Sequence, residues 1–318
     1  MLSSLKNELN LESMLAEVEL RLLDYTKSDS EKSQYLSQYL IKKGGKRLRP
    51  LLVILCAEGR NEKDVIDVAV AAELIHTASL VHDDIVDDSP KRRGVDTINS
   101  LLSNSYAVLT GDFLFAKAFE ILSKFQEKKV LETFTKAITA MSIAEIEQLS
   151  NKNNLKKTYK QYYSEIYGKT GALLSACCKS GGMIAGYRER EIIALETYGK
   201  ELGFSFQITD DLLDVAGNGD ELGKPKFQDL KEGHITLPII NLLAKDGQLD
   251  VAETLKESSN IDFSVVSKLI KEGEVDEYCY NLAVAHVDNA LKSIECFGNE
   301  SQRDALNKLA KLTLNRSQ

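Results

Sequence analysis

The chain has 318 residues and a formal net charge of −8, which allows one large domain or two smaller ones around a sizeable core. That charge excludes a general nucleic-acid binder, because a phosphate backbone calls for a basic surface. Five cysteines (Cys56, Cys177, Cys178, Cys279 and Cys296) lack metal-site spacing, and an odd count fits a reducing cytoplasm.

In chain order, residues 1–42 carry helical periodicity, with Leu15, Val18, Leu22 and Tyr25 on part of one apolar face and a Ser-rich break at 28–33. The amino terminus is amphipathic and charged rather than a secretory signal. Gly44 and Gly45 stop the second helix, and Lys46, Arg47 and Arg49 follow before an apolar run to Ala57. Asn61 is the expected N-cap of a long helix that ends in Asp83-Asp84-Ile85-Val86-Asp87. Pro90 and Gly94 bracket a basic loop holding Arg92 and Arg93. Further helices are expected over 105–125, 130–149, 159–185 with some breaks, and 188–215. The polar pair Lys169-Thr170 sits inside the third of these, and Asp210-Asp211-Leu212-Leu213-Asp214 ends the fourth. Residues 217–238 hold four glycines and two prolines, an irregular stretch of a length that compact domains keep for function, and the chain then returns to helix. Hairpin-forming alternating runs are missing, no uninterrupted apolar run is long enough to span a bilayer, and no solenoid repeat is present. The expected fold is all-α.

The two aspartate clusters carry the chemistry. On a helix, the first and last aspartates of each share a face, with the middle one beside them. Apolar sequence precedes each cluster, so the carboxylates are carried into a core rather than along a wet surface. So much negative charge beside an apolar wall demands cations. Magnesium takes a few carboxylates together with phosphate oxygens and waters, so two facing walls of this kind suit a diphosphate bridged to protein through metal. The basic residues Lys46, Arg49, Arg92, Arg93, Lys169, Lys224 and Lys226 are placed along the chain as phosphate-binding cations should be. His76 lies seven residues before Asp83, two turns away on the same face. His82 lacks comparable support and is taken as structural.

The order GGKRLRP (44–50), HTASLVHDDIVDDSPKRRG (76–94), AVLTGDFLFAKAF (107–119), KTGALL (169–174), and GFSFQITDDLLDVAG through GKPKFQDLKEGHITLP (203–238) resembles the trans-isoprenyl diphosphate synthases, the head-to-tail polyprenyl synthases. The resemblance covers nearly the whole chain. It implies a single polyprenyl synthase domain over 1–318, a barrel of antiparallel helices around a deep central cavity, a homodimer, and peripheral membrane contact for product release. It also implies three magnesium ions bridging an allylic diphosphate to Asp83, Asp84, Asp87, Asp210, Asp211 and Asp214. Arg92, Lys169, Gln207 and Lys224 would serve the allylic diphosphate, and Lys46, Arg49, His76 and Arg93 the isopentenyl diphosphate. Thr170 and Gln207 would offer oxygen dipoles to the allylic cation. Two positions depart from the family pattern: Asp96 stands where proline is usual, and His234 replaces the usual lysine or arginine before the Thr-Leu-Pro element.

Product length in such enzymes follows from cavity depth below the first cluster. The positions that carry bulky aromatics in short-chain relatives hold Ala78 and Ser79, which points to a hexaprenyl to octaprenyl product. If Phe113, Phe115 or Phe119 closes the tunnel instead, the product is geranylgeranyl or farnesyl diphosphate. A terpene cyclase and a subunit of a heteromeric synthase are the rival functions.

Overall fold

The computed structural model describes residues 11–57, 62–92, 94–216, 226–245, 255 and 262–314. The expected cap Asn61 and the candidate site residues Arg93 and Lys224 lie outside them, as does the amphipathic stretch 1–10. The chain divides into two compact units, one formed by Met1–Ile138, Ala176–Glu196 and Asn299–Ala305, the other by Thr139–Ser175, Thr197–Gly298 and Leu306–Gln318.

In the first unit, α1 (Glu12–Tyr25) buries Leu15, Val18 and Leu22, and α2 (Glu31–Lys42) starts where the Ser30 side chain accepts a hydrogen bond from the Ser33 amide. After α3 (Leu48–Cys56) comes α4 (Glu62–Val86), which carries the first cluster at its end. By length and composition α4 could cross a membrane, yet 78% of its most apolar window is buried inside the protein. Two acids interrupt that window, and each is matched. Asp67 accepts from the Tyr25 hydroxyl and from Arg21, while Glu73 accepts from Arg47 at 2.8 Å. Buried carboxylates need such donors, and these tie α1 and the turn before α3 to α4.

A two-residue hairpin, β1 (Lys91–Arg92) with β2 (Val95–Asp96), turns through Gly94 at φ +78°. Among the described residues this small pairing is the exception to the expected absence of hairpins, and it places the departure Asp96 on an exposed edge. A single turn, α5 (Ile98–Leu101), leads to α6 (Asn104–Leu122), which packs along α4. Close approach is possible because Gly111 has no side chain: a Cβ there would lie 2.2 Å from His82 Nε2.

Helix α7 (Lys128–Ser150) runs from the first unit's segment into the second's. In the second unit, α8 (Tyr159–Ile166) opens with a reciprocal capping box between Thr158 and Gln161. The predicted helix over 159–185 is broken by a π-helical turn at Tyr167–Gly171 before α9 (Ala172–Ile184). Then come α10 (Glu189–Ala216), the single turn α11 (Gln228–Lys231), α12 (Leu237–Ala244), α13 (Phe263–Glu272), α14 (Val275–Ser293) and α15 (Glu300–Leu314). Tyr162, Ile208, Leu212, Leu230 and Leu237 join one apolar core beneath the second cluster. Gly203 on α10 meets the π turn, where an added Cβ would come within 2.5 Å of Gly171 Cα, so backbone packs on backbone beside Thr170.

Candidate active site

The clusters belong to different units, Asp83, Asp84 and Asp87 to the first and Asp210, Asp211 and Asp214 to the second. At the end of α4 the three carboxylates have unequal surroundings. Asp87 is exposed, Asp83 half-buried and Asp84 buried. Arg92 Nε, delivered by β1, donates to Asp84 Oδ1 at 2.6 Å. Burial raises the Asp84 pKa, the Arg92 charge opposes that rise, and Asp87 adds to it. Arg92 is thus engaged with the first cluster as well as being a candidate for diphosphate.

The second cluster is built more deeply. Asp211 accepts from the buried Tyr162 hydroxyl at 2.6 Å and from Gln207 Nε2 at 2.9 Å, and Thr170 Oγ1 donates to Gln207 Oε1 at 2.7 Å. Burial nevertheless pushes the Asp211 pKa up to about 6, because desolvation outweighs the two donated hydrogen bonds and neighbouring Asp210 adds repulsion. Asp214 Oδ1 accepts from the Gln228 amide at 2.9 Å, whereas its Oδ2 is buried and makes no hydrogen bond. Burial raises the pKa of Asp214 too. Asp229 joins this acidic group: burial, then Asp211 and Asp214, push it up to about 7.

These carboxylates fit a divalent cation. An orphaned buried oxygen and carboxyls held above their ordinary range mark negative charge that the protein's own cations do not neutralise. Among the described residues no three acidic, histidine or cysteine side chains are grouped to hold an ion by themselves. An ion here would draw on diphosphate oxygens and water, as magnesium does.

Of the other candidate residues, Lys46 is exposed, Arg49 half-buried in the first turn of α3, and His76 half-buried on α4. Arg47 between them is buried at φ 50° and gives its guanidinium to Glu19, Glu73 and the Ile41 carbonyl, a structural role. Ala78 is fully buried, and Ser79 is partly exposed, its hydroxyl donating to the His76 carbonyl. His82 is 3.1 Å from the Val108 carbonyl and packs on Phe115, in keeping with a structural part. Lys169 Nζ donates to Gln148 Oε1 at 3.2 Å, and Gln148 Nε2 lies 3.1 Å from His234 Nδ1. Sequence reasoning missed Gln148, Tyr162 and Asp229. A glutamine or tyrosine on a helix that is otherwise core and solvent face gives no local sign of a partner dozens of residues away, but Asp229 stood in the stretch already singled out as functional.

Because the folded-state pKa of Asp211 lies above its unfolded value, ionising it opposes folding. The penalty is absent below about pH 4, grows as pH rises, and is complete above the folded value of about 6. Asp211→Asn should therefore raise metal-free stability by on the order of 2 kcal/mol at pH 8 and by little at pH 4. Thermal melts at the two pH values check this; equal or lower stability of the variant at pH 8 would contradict the buried-charge account.

Residues 30–272 match the family model described as polyprenyl synthetase. The chain is 34% identical over 317 residues to the octaprenyl diphosphate synthase of Escherichia coli strain K12, covering 98% of each. It is similar in structure to a decaprenyl diphosphate synthase from Rhodobacter capsulatus (TM-score 0.92, 32% identity, all of both chains). It is also similar to a polyprenyl synthase from Caulobacter crescentus complexed with calcium and isoprenyl diphosphate (TM-score 0.91, 33% identity, 100% of this chain and 98% of that one). With both aspartate clusters complete on helix ends and the family match running through them, the chain belongs to the polyprenyl synthetase family.

Proposed function

We propose that this chain is a magnesium-dependent trans-prenyltransferase that condenses isopentenyl diphosphate with an allylic diphosphate, head to tail, into a long-chain polyprenyl diphosphate of hexaprenyl to octaprenyl length. The observation that carries the reading is the pair of complete carboxylate clusters, partly desolvated and under-neutralised, in a chain of this family. Complete clusters also speak against a non-catalytic subunit, and a second diphosphate site at Lys46, Arg49, His76 and Arg93 speaks against a cyclase. The family match spans segments of both units, which supports one catalytic domain over 1–318.

When bound, three magnesium ions would neutralise the charge that develops on a departing diphosphate. Asp83, Asp84 and Asp87 of the first cluster and Asp210, Asp211 and Asp214 of the second would hold them. Arg92, Lys169 and Lys224 hold the allylic diphosphate, so its C–O bond can ionise. Thr170 and Gln207, already hydrogen-bonded to each other, present oxygen lone pairs that stabilise an allylic cation without capturing it. The double bond of isopentenyl diphosphate attacks that cation, and proton loss to the released diphosphate restores an alkene. An apolar cavity would exclude the water that would otherwise capture the allylic cation. Asp83→Ala or Asp210→Ala should lower turnover by a factor of about 100 or more, as should excess chelator, with helical circular dichroism unchanged. Near-normal turnover in either variant would refute the metal role.

Product length is the finer part of the reading. Small residues at 78 and 79 support a long product, whereas Phe115, which packs on His82 one turn from Ser79 and stacks on Phe119 with centroids 6.4 Å apart, supports the shorter alternative. Ala78 is fully buried, so a phenylalanine there would overpack the core. Ser79→Phe is the cleaner substitution and should shorten the product to the farnesyl or geranylgeranyl class while keeping the first condensation. Chromatography of dephosphorylated products reads this; a wild-type enzyme that already stops at geranylgeranyl would move the floor to the phenylalanines.

A homodimer completes the reading. Tyr106 and Leu109 on α6, with Leu102 just before it, expose a large apolar patch, 66% in the case of Leu109. Leu109→Glu should convert the species in analytical ultracentrifugation to monomer, and a wild-type monomer would rule the dimer out. Five free thiols, four of them buried, agree with a cytoplasmic setting, which cell fractionation would check.

A further inference from the structure

Three side chains of the second unit form a line: Lys169 in the π turn, Gln148 on α7 and His234 after α11. Lys169 Nζ donates to Gln148 Oε1 at 3.2 Å, and Gln148 Nε2 faces the His234 ring, 3.1 Å from Nδ1 and 3.4 Å from Nε2. Gln148 and His234 are 5% and 8% exposed, so neither can exchange its partner freely for water. The chemistry of the line fixes its direction. An ammonium group has donors only, so it must face the amide oxygen, which leaves the amide NH2 pointing at the imidazole. The ring nitrogen nearest that NH2 must then offer a lone pair. His234 is therefore neutral, with Nδ1 bare and the proton on Nε2, the nitrogen 3.9 Å from the Glu232 carboxylate.

The backbone holds the ring in this pose. Gly233 has φ +85°, its carbonyl accepts from the Asn153 amide at 2.8 Å, and the His234 amide donates to the Asp229 carbonyl at 2.8 Å. Burial, with Lys169, Lys152 and Lys157 nearby, lowers the His234 pKa to about 4, which agrees with a neutral ring. A lysine or arginine at this position, usual in the family that the sequence resembles, is a donor only. It could not accept from the Gln148 amide as the imidazole does.

We propose that Gln148 and His234 are positioning residues for Lys169: the neutral imidazole orients the amide, and the amide oxygen aims the ammonium group at the allylic diphosphate. His234 thus serves the diphosphate through Lys169, where a cation at 234 would serve it by charge. The proposal rests on the reading of Lys169 as an allylic-diphosphate residue.

The test combines steady-state kinetics on Gln148→Leu, Lys169→Ala, His234→Asn and the Gln148→Leu/Lys169→Ala double variant with 15N NMR of the His234 ring in the full chain. Gln148→Leu should raise the KM for the allylic diphosphate about tenfold, the effect of one lost charged hydrogen bond, with the KM for isopentenyl diphosphate unchanged. The double variant should be no worse than Lys169→Ala. His234→Asn, which keeps an acceptor, should stay within about threefold of wild type. The ring should be neutral with unprotonated Nδ1 at pH 7. An imidazolium, a protonated Nδ1, or a Gln148→Leu effect that multiplies with that of Lys169→Ala would overturn the proposal. If Lys169→Ala leaves the allylic KM unchanged, the assignment of Lys169 fails and the positioning role falls with it. The ring tautomer then shows whether the hydrogen-bonded line itself is correct.

Discussion

The cost of taking carboxylate charge out of water organises this protein. Asp67, Glu73, Asp84 and Asp211 are all buried on helices whose other residues are largely apolar, and the surrounding elements are arranged to bring donors to them. Arg21 and Tyr25 reach Asp67, Arg47 reaches Glu73, Arg92 reaches Asp84, and Tyr162 with Gln207 reaches Asp211. Breaking such an arrangement by removing the donor costs more than the arrangement contributes, since the charge is left buried alone. For Asp67 and Glu73 the matching supports a structural role. At the clusters it stops short, leaving Asp214 with an orphaned oxygen and several carboxyls above their ordinary pKa range. That shortfall separates a stabilising network from one that awaits cations.

Local backbone irregularity sits beside the same groups. The π turn at Tyr167–Gly171 interrupts what would be one long helix at the point where Lys169 and Thr170 are presented. Inserted π turns shift the residues that follow around the helix axis and occur often at functional sites. Gly203 lets α10 approach that turn, so Gln207, one helical turn later, meets the Thr170 hydroxyl. On the other side, Gly233 and its bond to Asn153 fix the approach of His234 to Gln148. Small residues and positive φ angles are thus spent where hydrogen-bonding side chains must be brought together.

Much of the fold was legible in the sequence because helical periodicity is a local signal. The expected spans 130–149 and 188–215 became Lys128–Ser150 and Glu189–Ala216, and the buried face of α1 is the one that Leu15, Val18 and Leu22 define. The small hairpin after α4 was not legible. Two residues per strand show no alternation, and the pairing follows from the Gly94 turn. The break in the 159–185 helix was expected only as a break; its π geometry, at a turn that packs closely on α10, was not legible.

The sequence alone determined the class of chemistry, since two DDxxD clusters after apolar helices, with basic motifs in a fixed order, need only the 3.6-residue period to place carboxylates on a shared face. The tertiary structure decided which of those groups are occupied. Tyr162 reaches Asp211 across 49 residues and Gln148 reaches His234 across 86, contacts made only when helices pack. The same packing turns the departure at position 234 from a missing cation into a hydrogen-bond acceptor, because burial strips the imidazole of its charge and the Gln148 amide demands a lone pair. Spacing along a helix is written in the chain, but desolvation and long-range hydrogen bonds depend on what surrounds each group after folding.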